Sequence, residues 1–176
     1  CNRMSTAINP SFLQQLETRA AVEDLIYREA RLLDEKNWKE WLTLYTADAV
    51  FWMPSWVGEY ETTSDPELEL NLVYLKGRAH LEDRVYRLDT QDSFASVPMA
   101  RTTHVVGGVM VDQAGEVEIR ARASWIVHSF GLHGPITRAG SYEYTLRRDA
   151  QTLRIARKKI TMIDDKLVGP VDFFHV

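Results

Sequence analysis

The sequence predicts an α+β fold: a strongly curved, mixed or largely antiparallel sheet wrapped around N-terminal helices to form a cone. Three observations carry this. The first third is patterned with a helical period, the part beyond Ala100 alternates with a period of two, and a corner studded with tryptophans joins a helix to a buried strand. The chain has 176 residues, 45% of them hydrophobic and 26% charged, which suits one domain with a substantial core spanning 1–176.

Met4 reads as a natural start, and the segment to Pro10 as a loose tail. Ser11 is placed to cap a long helix running to about Lys36, with Val22, Ile26, Ala30 and Leu33 as its apolar stripe. Glu23, Asp24, Arg28, Glu29 and Arg31 fall on the face expected to be solvated. Asn37, with Glu40 three residues on, opens a second short helix in capping-box fashion. Trp38, Trp41, Leu42 and Tyr45 follow at i, i+3, i+4 and i+7, so they share one helical stripe. Asp48 then opens the strand Ala49–Met53, and Pro54 stops it.

Gly58 to Glu69 is acidic and reads as a surface loop, and Leu70–Leu75 as a short strand. Lys76 or Gly77 starts a helix that buries Leu81, Val85 and Leu88, with Asp83 and Arg87 placed to pair outside. Asp89–Pro98 reads as another loop. Thr102–Val111 is a strand, Gln113–Gly115 its turn, and Glu116–Phe130 the next strand. There Val117, Ile119, Ala121, Ala123, Trp125 and Val127 alternate with polar residues. Ile126 and Phe130 make the other face apolar too, so one half of that strand is expected to be covered on both sides. Tyr142, Tyr144 and Leu146 mark a further strand. The last, Thr152–Ile163, changes parity between Ile155 and Ala156, which calls for a bulge or for partial cover on both faces.

Composition excludes several functions. The formal net charge is −4, which does not suit a nucleic-acid partner. No apolar run reaches membrane-spanning length, and no apolar signal segment stands near the N-terminus, so a cytoplasmic location is expected. The one cysteine, Cys1, allows no internal disulfide and no thiolate cluster. There is no phosphate loop, nucleophile elbow or His-Glu-x-x-His motif, and no pair among the five histidines has metal-ligand spacing. His133 is expected in a turn, and His80 exposed on a helix flank.

The candidate site residues are few. His104, in Arg101-Thr102-Thr103-His104, stands at the start of a central strand, where a cone would open. It reads either as a general base or as a hydrogen-bonded residue that fixes a strand end or meets a partner. Trp52, Trp56 and Tyr60 suit a core or a subunit contact better than a substrate pocket. Arg157 and Lys159 point to one face of their strand and Lys158 to the other, so at least one face needs carboxylates or water. An inter-subunit salt bridge is expected there.

The chain resembles the small (β) subunit of the terminal oxygenase of aromatic-ring-hydroxylating dioxygenases, and within them the benzoate, toluate and anthranilate branch. The resemblance rests on Tyr27–Asp34, Trp38–Trp41, Phe51–Pro54, Leu81–Val85, Arg101–His104, Arg157–Lys159 and the ending Asp172–Val176, in order along nearly the whole chain. It implies a cone like that of nuclear transport factor 2 and scytalone dehydratase, and a hexamer of three α and three β subunits. It also implies a Rieske [2Fe–2S] cluster and a mononuclear Fe(II) held by the α subunit, leaving this chain without a cofactor, a metal or catalytic residues. One terminal cysteine agrees with that division, since a Rieske cluster needs two cysteines and two histidines. Trp52, Trp56, Arg101 and His104 are then expected at subunit contacts, together with Arg157, Lys158, Lys159 and Phe174. A second reading is a stand-alone dehydratase or isomerase with His104 as base, assisted by Asp48 or Tyr45; a filled cone would exclude it. A third is a binding or transport adaptor without chemistry.

Overall fold

The computed structural model describes residues 9–90, 98–132, 134–150, 152–169 and 171–176. Helix α1 spans Pro10–Asp34. Its cap is Asn9, whose side chain accepts from the Ser11 amide; Ser11, expected to cap, sits two residues further on, within the first turn. It ends two residues earlier than the apolar pattern suggested, because Lys36 takes a left-handed conformation (φ 58°). The Lys36 amide then donates to Leu33 and the Asn37 amide to Leu32, which satisfies the last carbonyls of the helix. Asn37 caps α2, Trp38–Thr43, by accepting from the Glu40 amide. Tyr45 is not on that helix: it opens strand β1, Tyr45–Pro54, which Pro54 closes as expected.

Strand β2 is Asn71–Lys76 and helix α3 is Arg78–Asp89, buried through Leu81, Val85 and Leu88. The ion pair on the outside of α3 is Arg78–Glu82 instead of the expected Asp83–Arg87. The loop expected over 89–98 lies mostly outside the described residues, as does the turn at His133. Long strands follow: β3 Arg101–Ala114, β4 Glu118–Gly131, β5 Gly134–Asp149 and β6 Thr152–Met162. They form one sheet in the order β2-β1-β6-β5-β4-β3. Only β1 and β6 run parallel among these neighbours. At Gly140 the carbonyl of Thr161 lies where a Cβ would be, so that contact between β5 and β6 admits glycine alone.

The alternation read along β4 holds from Glu118 onward, while Val117 is exposed in the turn. Ile126 and Phe130 are corrected: each is half exposed, because among the described residues no element packs on the outer face of the sheet there. The parity change in β6 is a bulge. Tyr144 pairs with Lys158, Thr145 with Arg157 and Leu146 with Ile155, so Ala156 has no partner across the strands. Ile155 and Ala156 are both buried, and Lys158, Ile160 and Met162 continue inward from there.

The inward turn of Lys158 creates the centre of the core. Glu29 of α1, expected in solvent, is fully buried and meets it at 2.8 Å. Tyr45 also donates to Oε1 of Glu29, and Tyr144 donates to Oε2 at 2.9 Å. Burial pushes the Glu29 carboxyl up, but the Lys158 charge and these hydrogen bonds outweigh it and hold the group below its ordinary value. Burial depresses the Lys158 ammonium against the pull of Glu29. Helix α1 also reaches β3 at the far edge, through Asp34 and His104. A single helix bonded to β1, β5, β6 and β3 requires the sheet to curl around it, and that makes the cone.

Trp41, Phe51, Trp125, Tyr142 and Phe173 fill the interior and are each 0–1% exposed. Trp41 stacks on Phe173 with centroids 4.8 Å apart, and Trp125 on Tyr142 at 5.4 Å.

Two stability measurements test this core. Trp41→Ala is expected to lower the unfolding free energy by about 3–5 kcal/mol in urea titrations; a loss below about 1 kcal/mol would contradict its burial. Lys158→Met strands the Glu29 charge and is expected to cost about 3–5 kcal/mol. Adding Glu29→Gln, which keeps an acceptor for the two tyrosines, should recover most of that loss. Strict additivity of the two substitutions would refute the coupling.

Candidate functional site

His104 belongs to the inward parity of β3, so its imidazole is only 1% exposed although its backbone lies near the sheet edge. Its Nδ1 meets Asp34 Oδ1 at 2.6 Å, and its amide donates to Asp34 Oδ2 at 2.9 Å. One carboxylate at the last residue of α1 therefore clamps both the side chain and the backbone of β3. Burial pushes the Asp34 carboxyl up, but the bonds from His104 outweigh it and leave the group below its ordinary value. Nε2 of His104 is buried and has no hydrogen-bond partner among the described residues.

Lys36 and His175 complete this end of the cone. Lys36 donates to Thr102 at 2.7 Å and stands over the Phe174 ring at 4.9 Å. Burial lowers its ammonium to about 8, with Asp34 opposing. The segment Phe173–His175 forms a short 3-10 turn capped by Asp172, whose amide donates to Nδ1 of His175. That bond requires a neutral imidazole. Burial, then the charges of Arg138, Lys36 and His104, lower His175 to about 4.

The residues of the dehydratase reading do not converge. Asp48 lies at the surface and pairs with Arg147, while Tyr45 is committed to Glu29. The carboxylate that touches His104 is Asp34, which no local pattern singles out. An open hollow of about 400 Å³ is lined by Asp34, His104, Tyr27 and Arg31, but Nε2 of His104, the nitrogen a general base would offer to substrate, is buried. As for metals, His104 uses Nδ1 on Asp34 and His175 uses Nδ1 on the Asp172 amide. Among the described residues no group of three or more His, Cys, Asp or Glu side chains is placed to hold an ion.

The residues expected at subunit contacts divide between inside and outside. Lys158 and Phe174 are buried within the chain, and Lys158 is spent on Glu29, so the surface salt bridge expected of it is replaced by an internal one. His104 is likewise occupied internally. The outer face of the sheet carries the others. Trp52 lies flat under Arg157 and Lys159, at 5.1 and 5.2 Å, and is itself nearly covered. Trp56 is half-buried and donates to the Met162 carbonyl at 2.9 Å. Arg101 stands over Phe130 at 5.3 Å.

Two features of this outer face were not read from the sequence. One is an apolar row that crosses β3, β4 and β5 and ends just past β6: Val105 pairs with Ile126, Ile126 with Ala139, and the Ile163 amide donates to the Ala139 carbonyl. Val105 is 61% exposed, Ile126 49% and Ile163 71%. The other is a groove of about 670 Å³, walled by Thr62–Ser64 and floored by Trp52, Arg120, Arg122, Glu143, Arg157 and Lys159. Among the described residues no helix is long and apolar enough to cross a membrane.

His175 gives a pH test. Its folded value of about 4 lies below the ordinary 6.5, so the unfolded chain takes up a proton first. The stability it contributes is present above pH 6.5 and is lost as pH falls through 4, a change of about 3 kcal/mol. Urea midpoints measured from pH 7 to 4 should fall in the wild type and flatten in His175→Asn; equal slopes would show that His175 does not titrate in this way.

Comparison with known proteins places this geometry. The family of ring hydroxylating beta subunits matches residues 28–168. The chain is 38% identical over 151 residues to the small subunit of 2-halobenzoate 1,2-dioxygenase from Burkholderia cepacia, covering 86% of this chain and 92% of that one. It is similar to the crystal structure of the beta subunit of benzoate 1,2-dioxygenase from Burkholderia mallei, with a TM-score of 0.74 and 34% identity over 89% of this chain and 96% of the other. An NTF2-like protein with a cystatin-like fold from Novosphingobium aromaticivorans matches at a TM-score of 0.63 and 18% identity, covering 89% of this chain and 88% of that one, which shows the shared fold alone. On the family match across four fifths of its length and these identities, the chain belongs to the beta subunits of ring-hydroxylating dioxygenases.

Proposed function

We propose that this chain is the structural subunit of a terminal oxygenase acting on benzoate-like aromatic compounds in the cytoplasm. Its partner is a large α subunit that carries the Rieske cluster and the mononuclear iron. Three copies of each subunit assemble, and the small subunit holds the large ones in register.

The observation that carries this reading is the contrast between the two faces of the sheet. The inner face is filled: aromatics pack it, and the buried Glu29 and Lys158 are paired within the chain. The outer face is incomplete, with Val105, Ile126 and Ile163 left in water as one row. A row of that kind is expected where another protein surface packs. Similarity to the small and beta subunits of halobenzoate and benzoate dioxygenases supports the substrate class.

The Asp34–His104 pair is the one observation that favours the dehydratase reading, since a carboxylate-oriented histidine is what a general base needs. The filled cone speaks against it. Co-production with a tagged large subunit and native mass measurement is expected to give equal numbers of the two chains, three of each. His104→Ala should leave hydroxylation per intact complex within about twofold of wild type while lowering stability. A small subunit that never co-purifies, or a purified chain whose own dehydration activity vanishes in His104→Ala, would reverse the assignment.

A further inference from the structure

We infer that the groove floored by Trp52, Arg120 and Arg157 receives the acidic tip Glu59-Tyr60-Glu61 of a second copy of this chain, in a head-to-tail contact.

The groove is cationic beyond what its own carboxylates neutralise. Glu143 pairs with Lys159 at 3.0 Å and Asp112 with Arg122 at 2.9 Å. Arg120 and Arg157 line the same space and have no carboxylate partner among the described residues. Both are exposed, and Arg157 is already held flat on Trp52. A guanidinium over an indole, with a second unpaired guanidinium lining the same groove, suits a planar aromatic flanked by carboxylates.

The loop after β1 presents that group. The Val57 and Gly58 amides both donate to the Glu61 carbonyl, at 2.9 and 3.3 Å, and Trp56 bridges to Thr62. These bonds close residues 57–61 into a turn, and the Trp56 indole ties its base to β6. Tyr60 at the apex is 85% exposed, and Glu59 and Glu61 on either side are exposed without a cationic partner among the described residues. A large aromatic held in water by a closed turn is prepared for a partner at little further ordering cost. The tip does not serve its own groove: Thr62–Ser64 of the same loop form the groove's rim, and the tip leaves that rim into solvent.

Tip and groove are different surfaces, so the contact is heterologous and closes only as a ring. This deepens the scaffold reading above and rests on it for the ring size of three. Charge complementarity within a single sequence favours a second copy over the large subunit as occupant.

The test uses the chain alone and in complex with the large subunit. Arg120→Glu with Arg157→Glu, and separately Glu59→Arg with Glu61→Arg, are expected to weaken chain–chain association about tenfold or more by sedimentation, with thermal midpoints unchanged. The fourfold variant, with both charges exchanged, should regain it. In a Cys1→Ser background, Tyr60→Cys combined with Arg120→Cys should form inter-chain disulfides up to a closed trimer, and neither single cysteine should do so. Three results would overturn the proposal: no inter-chain disulfide in either preparation, cross-linking by Tyr60→Cys alone, or loss of the large subunit on groove reversal with chain–chain association intact. The last gives the groove to the large subunit and leaves the scaffold reading standing. Failure of wild-type chains to bind the large subunit, with the disulfides present, does the reverse.

Discussion

Helix α1 delivers one carboxylate, Glu29, to the middle of the sheet, and a single inserted residue decides which cation meets it. Without the bulge at Ala156, the parity set by Ile155 would send Arg157 and Lys159 inward and Lys158 out. With it, Lys158 enters the core and the other two lie over Trp52 on the outer face. Lysine suits the inner position because a compact ammonium fits above the Tyr142 ring at 4.1 Å while donating to Glu29. A buried pair of this kind is a doubtful source of net stability, because desolvation opposes the attraction. Its effect here is selective: any slip of β6, or rotation of α1, leaves two charges unpaired in an apolar interior.

The same logic explains the second junction. Asp34 ends α1, and the left-handed Lys36 turns the chain away immediately afterwards. The carboxylate is thereby aimed at β3, where it holds the His104 amide as well as its ring. A general base needs a free nitrogen facing substrate. Here the orienting half of such a dyad is present, but the other nitrogen, Nε2, is buried. Glu29 and Asp34 lie five residues apart on one helix and bind β6 and β3, so the curvature of the sheet is fixed at two points along one rod.

Element types were largely legible in the sequence because most boundaries carry local chemistry. Asn37 and Glu40, Pro54, Gly77 and the alternation from Ile119 to Val127 each act within a few residues. The bulge was legible as a fault in parity, since strand side chains alternate strictly. The buried ion pair was missed, although a signal existed. Glu29 stands three residues after Ile26 and four before Leu33, in phase with the apolar stripe, and Lys158 is in phase with Ile160 and Met162. Each charge looked solvated when read alone; only their common phase with buried neighbours pointed inward. Asp34 and Lys36 gave no such signal, because 70 and 66 residues separate them from the His104 and Thr102 that they meet.

Partitioning the charges this way also determines what the outer face can be. The cone packs Trp41, Phe51, Trp125, Tyr142 and Phe173 inside, so its stability does not require the outer row Val105–Ile126–Ala139–Ile163 or the exposed Tyr60. Leaving such groups in water carries a standing risk of aggregation, which an isolated soluble domain has no reason to bear. The outer cations moderate it: Arg101 covers part of Phe130, and Arg157 and Lys159 screen Trp52. Guanidinium and ammonium groups placed over aromatic rings reduce the apolar area left to water and can turn toward carboxylates when a partner arrives. The surface is therefore apolar enough to bind and charged enough to wait, which is the physical requirement for a subunit made before its complex is assembled.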